Sequence, residues 1–173
     1  AGTDGDGVYR STDNGDNWQS SGLDNQSVSS LIQIGNYLYA GTFGEGVYHS
    51  SDNGDSWQEK SSGMDNQYVW SLVKSGNYLY AGTDGRGVYR SSDNGDSWQE
   101  KSSGMDNRNV VSLIQIGNYL YAVTDDGGVY RSSDNGDNWQ SSGLNNQSVR
   151  SLIQSGNYLY AGTDGRGVYR SSD

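Results

Sequence analysis

Few residues of this sequence have the types and spacing that catalytic or metal chemistry requires. His49 is the only histidine, and it lacks the partner groups of a catalytic constellation, so we interpret it as structural. The repeated Asp-Asn-Gly-Asp segments, such as 93–96, could suggest calcium. However, they lack the spaced carboxylates and the terminal bidentate Glu of a calcium loop. The sequence therefore predicts neither a metal site nor a cofactor.

These acidic segments belong to an octad that recurs along the chain. The pattern Ser-x-Asp-x-Gly-x-x-Trp spans 11–18, 50–57, 91–98 and 132–139, and it begins again at Ser171. A period of about 40 residues is typical of repeat architectures. We predict one repeat domain over 1–173, with repeats at approximately 1–39, 40–80, 81–121 and 122–160 and a partial copy at 161–173. Only positions that differ between copies can build a unique site.

The residue pattern of each repeat predicts four short strands. In the copy at 67–104, alternating segments at 69–73, 78–83, 88–91 and 98–101 are separated by glycine-rich turns. Gly76-Asn77 is a two-residue turn of the kind that closes a hairpin. The pattern predicts an all-β fold, a β-propeller built from four-stranded antiparallel blades. A parallel β-helix is the alternative.

Composition excludes several classes of partner. The chain has 21 acidic and 11 basic residues, a net charge of −10 and no cysteine. This balance argues against nucleic-acid binding, and the absence of cysteine excludes a disulfide scaffold. No apolar segment approaches the roughly 18 residues of a membrane helix, so no membrane insertion is expected.

The octad closely resembles the Asp-box of bacterial neuraminidase repeats. The segment 81–93 around it is similar to the blade consensus of secreted bacterial Asp-box propellers. The photosystem II assembly-factor-like propellers and the sortilin luminal domain belong to the same broad group. The sequence departs from this pattern where Asn17, Ser56, Ser97 or Asn138 replaces the usual Thr before the Trp. The resemblance implies an extracellular or periplasmic location for a natural protein.

The resemblance also implies that the box joins the third and fourth strands at the outer edge, opposite the binding face. Its residues are therefore interpreted as structural: Asp13, Gly15, Trp18, Asp52, Gly54, Trp57, Asp93, Gly95, Trp98, Asp134, Gly136 and Trp139. An Asp can accept backbone N–H bonds across such a loop, and a large Trp can cover it. We expect the four Trp side chains to be largely buried in equivalent positions.

Variation between repeats concentrates in two loop sets that the topology places on one face. These are the loops between second and third strands and the segments that connect blades. The candidate ligand-face residues are Phe43, Glu45, Tyr68, Trp70, Arg86, Arg108, Asp126 and Arg150. One interpretation gives them aromatic and polar pockets for sugars or a protein. The other is that loops drift after duplication because nothing depends on them.

The resemblance to sialidases raises the question of catalysis. That chemistry uses an arginine triad, a Tyr–Glu nucleophile pair and an Asp acid/base from different blades. Here Glu occurs only at Glu45, Glu59 and Glu100, and Arg10, Arg90, Arg131 and Arg170 occupy one repeated position. We therefore expect no enzyme, and a sialidase-like glycosidase is the least favoured function. The favoured function is a non-catalytic scaffold, recently amplified or engineered. The alternative is a multivalent carbohydrate- or protein-binding module.

The ends of the sequence repeat each other. Segments 1–13 and 161–173 differ only at Asp6/Arg166 and Thr12/Ser172. The chain is thus expected to begin on a second strand and to end on a third. An open arc of blades would expose faces and strand edges. We therefore predict self-association, most simply a homodimer that completes a larger ring, or continuation in a longer array.

Overall fold

The protein consists of short β-strands. A computed structural model describes residues 1–105 and 108–171, and within these ranges it contains seventeen strands and no α-helix. Accordingly, we find in these ranges no helix long and apolar enough to cross a membrane. The all-β prediction is confirmed.

The strands form three complete four-stranded sheets and two smaller ones. Blade 1 contains β3 (Val28–Ile34), β4 (Tyr37–Thr42), β5 (Val47–Ser50) and β6 (Gln58–Glu59). Blade 2 contains β7 (Val69–Ser75), β8 (Tyr78–Thr83), β9 (Gly87–Ser91) and β10 (Gln99–Glu100). Blade 3 contains β11 (Val110–Ile116), β12 (Tyr119–Thr124), β13 (Gly128–Ser132) and β14 (Gln140–Ser141). The N-terminal sheet pairs β1 (Tyr9–Arg10) with β2 (Gln19–Ser20), and the C-terminal sheet contains β15 (Val149–Ser155), β16 (Tyr158–Thr163) and β17 (Gly167–Arg170).

The sequential antiparallel pairing fixes which loops share an end of the sheet. In blade 1, Leu38 at the start of β4 pairs with Ser50 at the end of β5, while Gly41 pairs with Val47. The octad therefore leaves one end of the blade, and the loop around Phe43 leaves the other. Every pairing between the described strands is antiparallel, so the β-helix alternative is wrong.

The octads form tight loops, which we call box loops (11–18, 50–57, 91–98 and 132–139). In the third, Asp93 Oδ1 accepts hydrogen bonds from the Ser97 N–H at 2.9 Å and from Ser91 Oγ at 2.7 Å. Its Oδ2 accepts from Ser97 Oγ at 2.5 Å. Asn94 and Gly95 follow with positive φ angles of 59° and 92°, a conformation that Asn and Gly adopt most readily. The octad thus specifies its own loop.

These hydrogen bonds predict acid sensitivity. Hydrogen bonds donated by Ser97 and Ser91 lower the pKa of Asp93 from 3.8 to about 2. The pKa values of Asp13, Asp52 and Asp134 are lowered to about 2 by the equivalent hydrogen bonds in their own box loops. A lowered pKa stabilises the folded chain above the unfolded value near 4, and this stabilisation is lost as the pH falls towards 2. We expect the melting temperature to fall between pH 5 and pH 2, measured by circular dichroism. In the Asp93→Asn variant, the melting temperature should fall less steeply as the pH decreases. A slope equal to that of the wild-type chain would contradict the role of Asp93 in acid sensitivity.

The hydrophobic core lies between neighbouring blades. Trp98 of blade 2 is 3% exposed and packs in a cluster with Tyr39 and Val47 of blade 1 and Leu79 of blade 2. Its indole Nε1 donates a hydrogen bond at 2.7 Å to the carbonyl of Lys60, just after β6. The Tyr39 hydroxyl in turn donates to the box-loop carbonyl of Asn94 at 3.0 Å. Trp98 is therefore covered by the preceding blade, as expected when short strands bury one another's faces.

The expectation of four equivalent buried Trp residues is wrong for the first copy. Trp139 is 3% exposed, like Trp98, but Trp18 is 51% exposed and Trp57 is only half-buried. The Trp57 indole still donates to the preceding sheet, at the carbonyl of Ser21, whereas Trp18 donates within its own box loop to Gly15. The physical reason is that within the described chain no sheet packs over Trp18.

Candidate functional site

The variable segments meet on one face, which we call the loop face. Backbone hydrogen bonds join each second-to-third-strand loop to the segment that precedes the first strand of the same blade. Phe43 N–H donates to the Ser27 carbonyl at 2.9 Å, and Asp84 N–H donates to the Tyr68 carbonyl at 3.0 Å. Because these bonds tie the two variable segments together, residues that differ between repeats lie side by side.

Three candidates from two neighbouring blades form an aromatic cluster. The Phe43 ring lies 4.8 Å from the ring of Tyr68 in a T-shaped arrangement and 4.8 Å from the ring of Trp70. A β-bridge between Phe43 and Tyr68 joins blade 1 to blade 2 at this point. The three side chains remain 41%, 45% and 37% exposed. Large aromatic residues that stay this exposed and contiguous are typical of interaction surfaces rather than of packing.

Three of the charged candidates, Arg108, Asp126 and Arg150, form ion pairs elsewhere on the loop face. Arg108 pairs with Asp126 at 3.4 Å. Arg150 bridges two carboxylates, with Nη2 at 2.9 Å from Asp125 and at 3.1 Å from Asp164. Asp125 and Asp164 are not among the residues that the sequence singles out. Both occupy the repeat position of Phe43 in blade 1, and this equivalence is the signal that could have identified them.

The remaining candidates are not brought together with the aromatic cluster. Glu45 and Arg86 occupy equivalent exposed positions in the loops of blades 1 and 2. Neither forms an ion pair with any described residue. The Glu45 N–H donates to Thr42 Oγ1 at 3.2 Å, and the Arg86 carbonyl accepts from Ser102 Oγ at 2.8 Å. Their backbones are thus held by the loop, while the side chains extend to solvent.

Two of the repeated third-strand arginines are occupied by contacts between sheets. Arg90 Nη1 donates to the Asn135 carbonyl at 2.7 Å and pairs with Asp137 at 3.1 Å, both in the box loop of blade 3. Arg10 makes the equivalent contacts to the box loop of blade 1. These guanidinium groups therefore join neighbouring sheets rather than converge on one substrate. Among residues 1–105 and 108–171, no three His, Cys, Asp or Glu side chains are grouped to hold a metal ion.

The fold and its repeated blades define a β-propeller. A family model described as the DUF6242 beta propeller domain matches residues 69–173, and the chain belongs to this family. A search of curated protein sequences finds no match. The propeller class predicted from the sequence is therefore confirmed, whereas the finer resemblance to Asp-box repeats stays a prediction.

Solved propellers share the fold at low sequence identity. The extracellular domain of BT4673 from B. thetaiotaomicron superposes with a TM-score of 0.81 and 20% identity over 99% of this chain and 24% of that domain. YCF48 bound to a D1 peptide superposes with a TM-score of 0.67 and 18% identity over 95% of this chain and 57% of that chain. The GH74 enzyme of Niastella koreensis superposes with a TM-score of 0.71 and 18% identity over 97% of this chain and 33% of that chain. The present chain thus spans about a quarter of the BT4673 domain, and identities this low show the fold alone.

Proposed function

We propose that the chain is a non-catalytic propeller scaffold that self-associates through its blade faces, most simply as a homodimer, towards a larger ring. The observation that carries this proposal is the exposed Trp18, since its equivalents Trp98 and Trp139 are covered by a neighbouring blade. Trp18 lines an open cleft of about 650 Å³ together with Val8, Leu31 and Leu38. Leu31 and Leu38 belong to β3 and β4, so the cleft lies between the N-terminal sheet and blade 1, and no further sheet of the described chain covers Trp18 at its edge.

The C-terminal region offers a surface that matches it. Between blade 3 and the C-terminal sheet lies a cleft of about 500 Å³, lined by Tyr121, Ser142, Leu152 and other residues. Tyr121 is the repeat equivalent of Tyr39, whose hydroxyl donates to a box-loop carbonyl, and Ser142 is the equivalent of Lys101, whose carbonyl accepts from a Trp indole. In the proposed dimer, the box loop of one copy, with Trp18, packs against these groups of the other copy. Such a head-to-tail contact can close a ring.

This proposal predicts a concentration-dependent assembly. The 173-residue chain should elute as a dimer in size-exclusion chromatography with light scattering, and Trp18→Ala should shift it towards monomer because a buried aromatic anchor is lost. The Trp70→Ala variant, changed on the loop face, is the matched control and should remain dimeric. A wild-type chain that is monomeric at all concentrations would overturn the self-association.

A second candidate function is a binding module that uses the loop face. The observation that favours it is the exposed Phe43–Tyr68–Trp70 cluster, which is confined to the junction of blades 1 and 2. The equivalent junction of blade 3 and the C-terminal sheet carries an ion pair instead. A location outside the cytoplasm suits either function and stays a prediction.

A further inference from the structure

Arg150 shows that a blade junction on the loop face can bind a guanidinium group. Arg150, the second residue of β15, places its guanidinium between Asp125 of blade 3 and Asp164 of the C-terminal sheet. Both carboxylates come from loops between second and third strands. The junction is therefore a slot between two adjacent loops, and here a guanidinium fills it.

The same slot recurs between the N-terminal sheet and blade 1 with different residues. Val28 and Val149 begin β3 and β15, and both strands shift register at the next residue, so Ser29 takes the place of Arg150. By the same alignment, Asp4 takes the place of Asp125 and Phe43 takes the place of Asp164. The backbone agrees, since Phe43 N–H donates to Ser27 and Asp164 N–H donates to Ser148, both at 2.9 Å. The long cationic side chain is thus replaced by a short neutral one.

A cleft of about 380 Å³ lies at this slot and reaches Trp70 of blade 2. Asp4, Ser29, Phe43 and Trp70 are among the residues that line it, and the lining contains no Lys or Arg. Asp4 Oδ1 accepts a hydrogen bond from Ser27 Oγ at 2.7 Å, which fixes the carboxylate, and no described Lys or Arg pairs with it. The cleft therefore combines a carboxylate without a counter-cation with two aromatic rings, whose faces attract cations.

We propose that this cleft, which we call the Asp4 cleft, binds the guanidinium of an arginine side chain presented by a partner protein. The inference rests on the binding-module function above and names its ligand class. A guanidinium is planar, pairs with a carboxylate and stacks on aromatic rings, whereas an ammonium is a compact, strongly hydrated charge. The chain already uses this stacking, since the guanidinium carbons of Arg90 and Arg170 lie 4.6 and 4.7 Å from the ring centres of Tyr78 and Tyr158. The net charge of −10 favours a basic partner.

The test is an NMR titration of the 173-residue chain with Nα-acetyl-arginine methylamide. The Trp70 indole N–H and the Asp4 amide should shift, and the affinity should exceed that of the citrulline analogue, a neutral isostere, at least fivefold. Added NaCl should weaken binding because an ion pair is screened. Equal affinity for arginine and citrulline would overturn the proposal.

Two variants locate the site without removing core residues. Ser29→Arg supplies the guanidinium from the chain itself, as Arg150 does, and should reduce arginine affinity at least tenfold. Arg150→Ser opens the equivalent slot and should add a second set of shifts at Asp125 and Asp164. Unchanged arginine affinity in Ser29→Arg, or no second set of shifts in Arg150→Ser, would contradict the assignment of arginine binding to the Asp4 cleft.

A library of glycans and basic and neutral peptides separates this inference from the binding module itself. Trp70→Ala should abolish capture of arginine-containing peptides, with Trp18→Ala as the control. If Trp70-dependent capture is found only for glycans or neutral peptides, the guanidinium inference fails and the binding module stands. If no capture depends on Trp70, both fail.

Discussion

Trp98→Ala is expected to lower the free energy of unfolding by about 3–5 kcal/mol, the usual cost of truncating a buried Trp to Ala. Trp98 is 3% exposed, and its ring fills the junction between blades 1 and 2 beside Tyr39 and Leu79. Truncation also leaves the Lys60 carbonyl without its indole donor. The loss should appear as a lower midpoint in urea, followed by far-ultraviolet circular dichroism.

The matched control is Trp70→Ala, which makes the same chemical change on the loop face. Trp70 is 37% exposed, and its aromatic contact with Phe43 is expected to contribute no more than about 1.5 kcal/mol. If the two variants were equally stable, the junction between blades would not be the core of this fold. Both measurements belong at one protein concentration, since association adds to apparent stability.

The architecture of the blades could be predicted from local signals. Strand alternation, the Gly-Asn hairpin turns and the octads are all encoded within one repeat, and in blade 2 the segments predicted at 69–73, 78–83, 88–91 and 98–101 agree within two residues with β7 to β10. Asp93 illustrates why this works, because all three of its side-chain hydrogen bonds come from residues within four positions along the chain. Interactions of this range do not depend on how the blades pack.

Contacts between sheets are less accessible to sequence reasoning. Trp18 and Trp98 occupy identical positions in their octads, yet their burial differs because burial depends on a neighbouring sheet. The loop face shows the same limit. The shared face of Phe43, Tyr68 and Trp70 follows from strand topology, but their mutual contact depends on the junction of two blades. The pairing of Arg150 with Asp125 likewise becomes visible only once the repeats are placed side by side.

Close approach between blades also gives Gly63 a large expected effect. Gly63 follows β6 with a φ of +85°, and a Cβ at this position would lie 2.4 Å from the carbonyl oxygen of Trp98. The contact is between backbones, since Trp98 N–H donates to the Ser62 carbonyl at 2.9 Å, so no side chain can rotate to make room. Gly63→Ala therefore combines left-handed strain with displacement of the backbone at Trp98. We expect a loss of about 3 kcal/mol.

Gly76→Ala separates the two contributions. Gly76 has a φ of +54°, but a Cβ there would meet nothing within 4 Å. It should therefore show the conformational cost alone, about 1–2 kcal/mol. Urea denaturation of both variants measures the difference, which reports the backbone contact between blades 1 and 2. Equal losses would mean that this contact relaxes freely, and the junction around Trp98 would then be looser than its hydrogen bonds indicate.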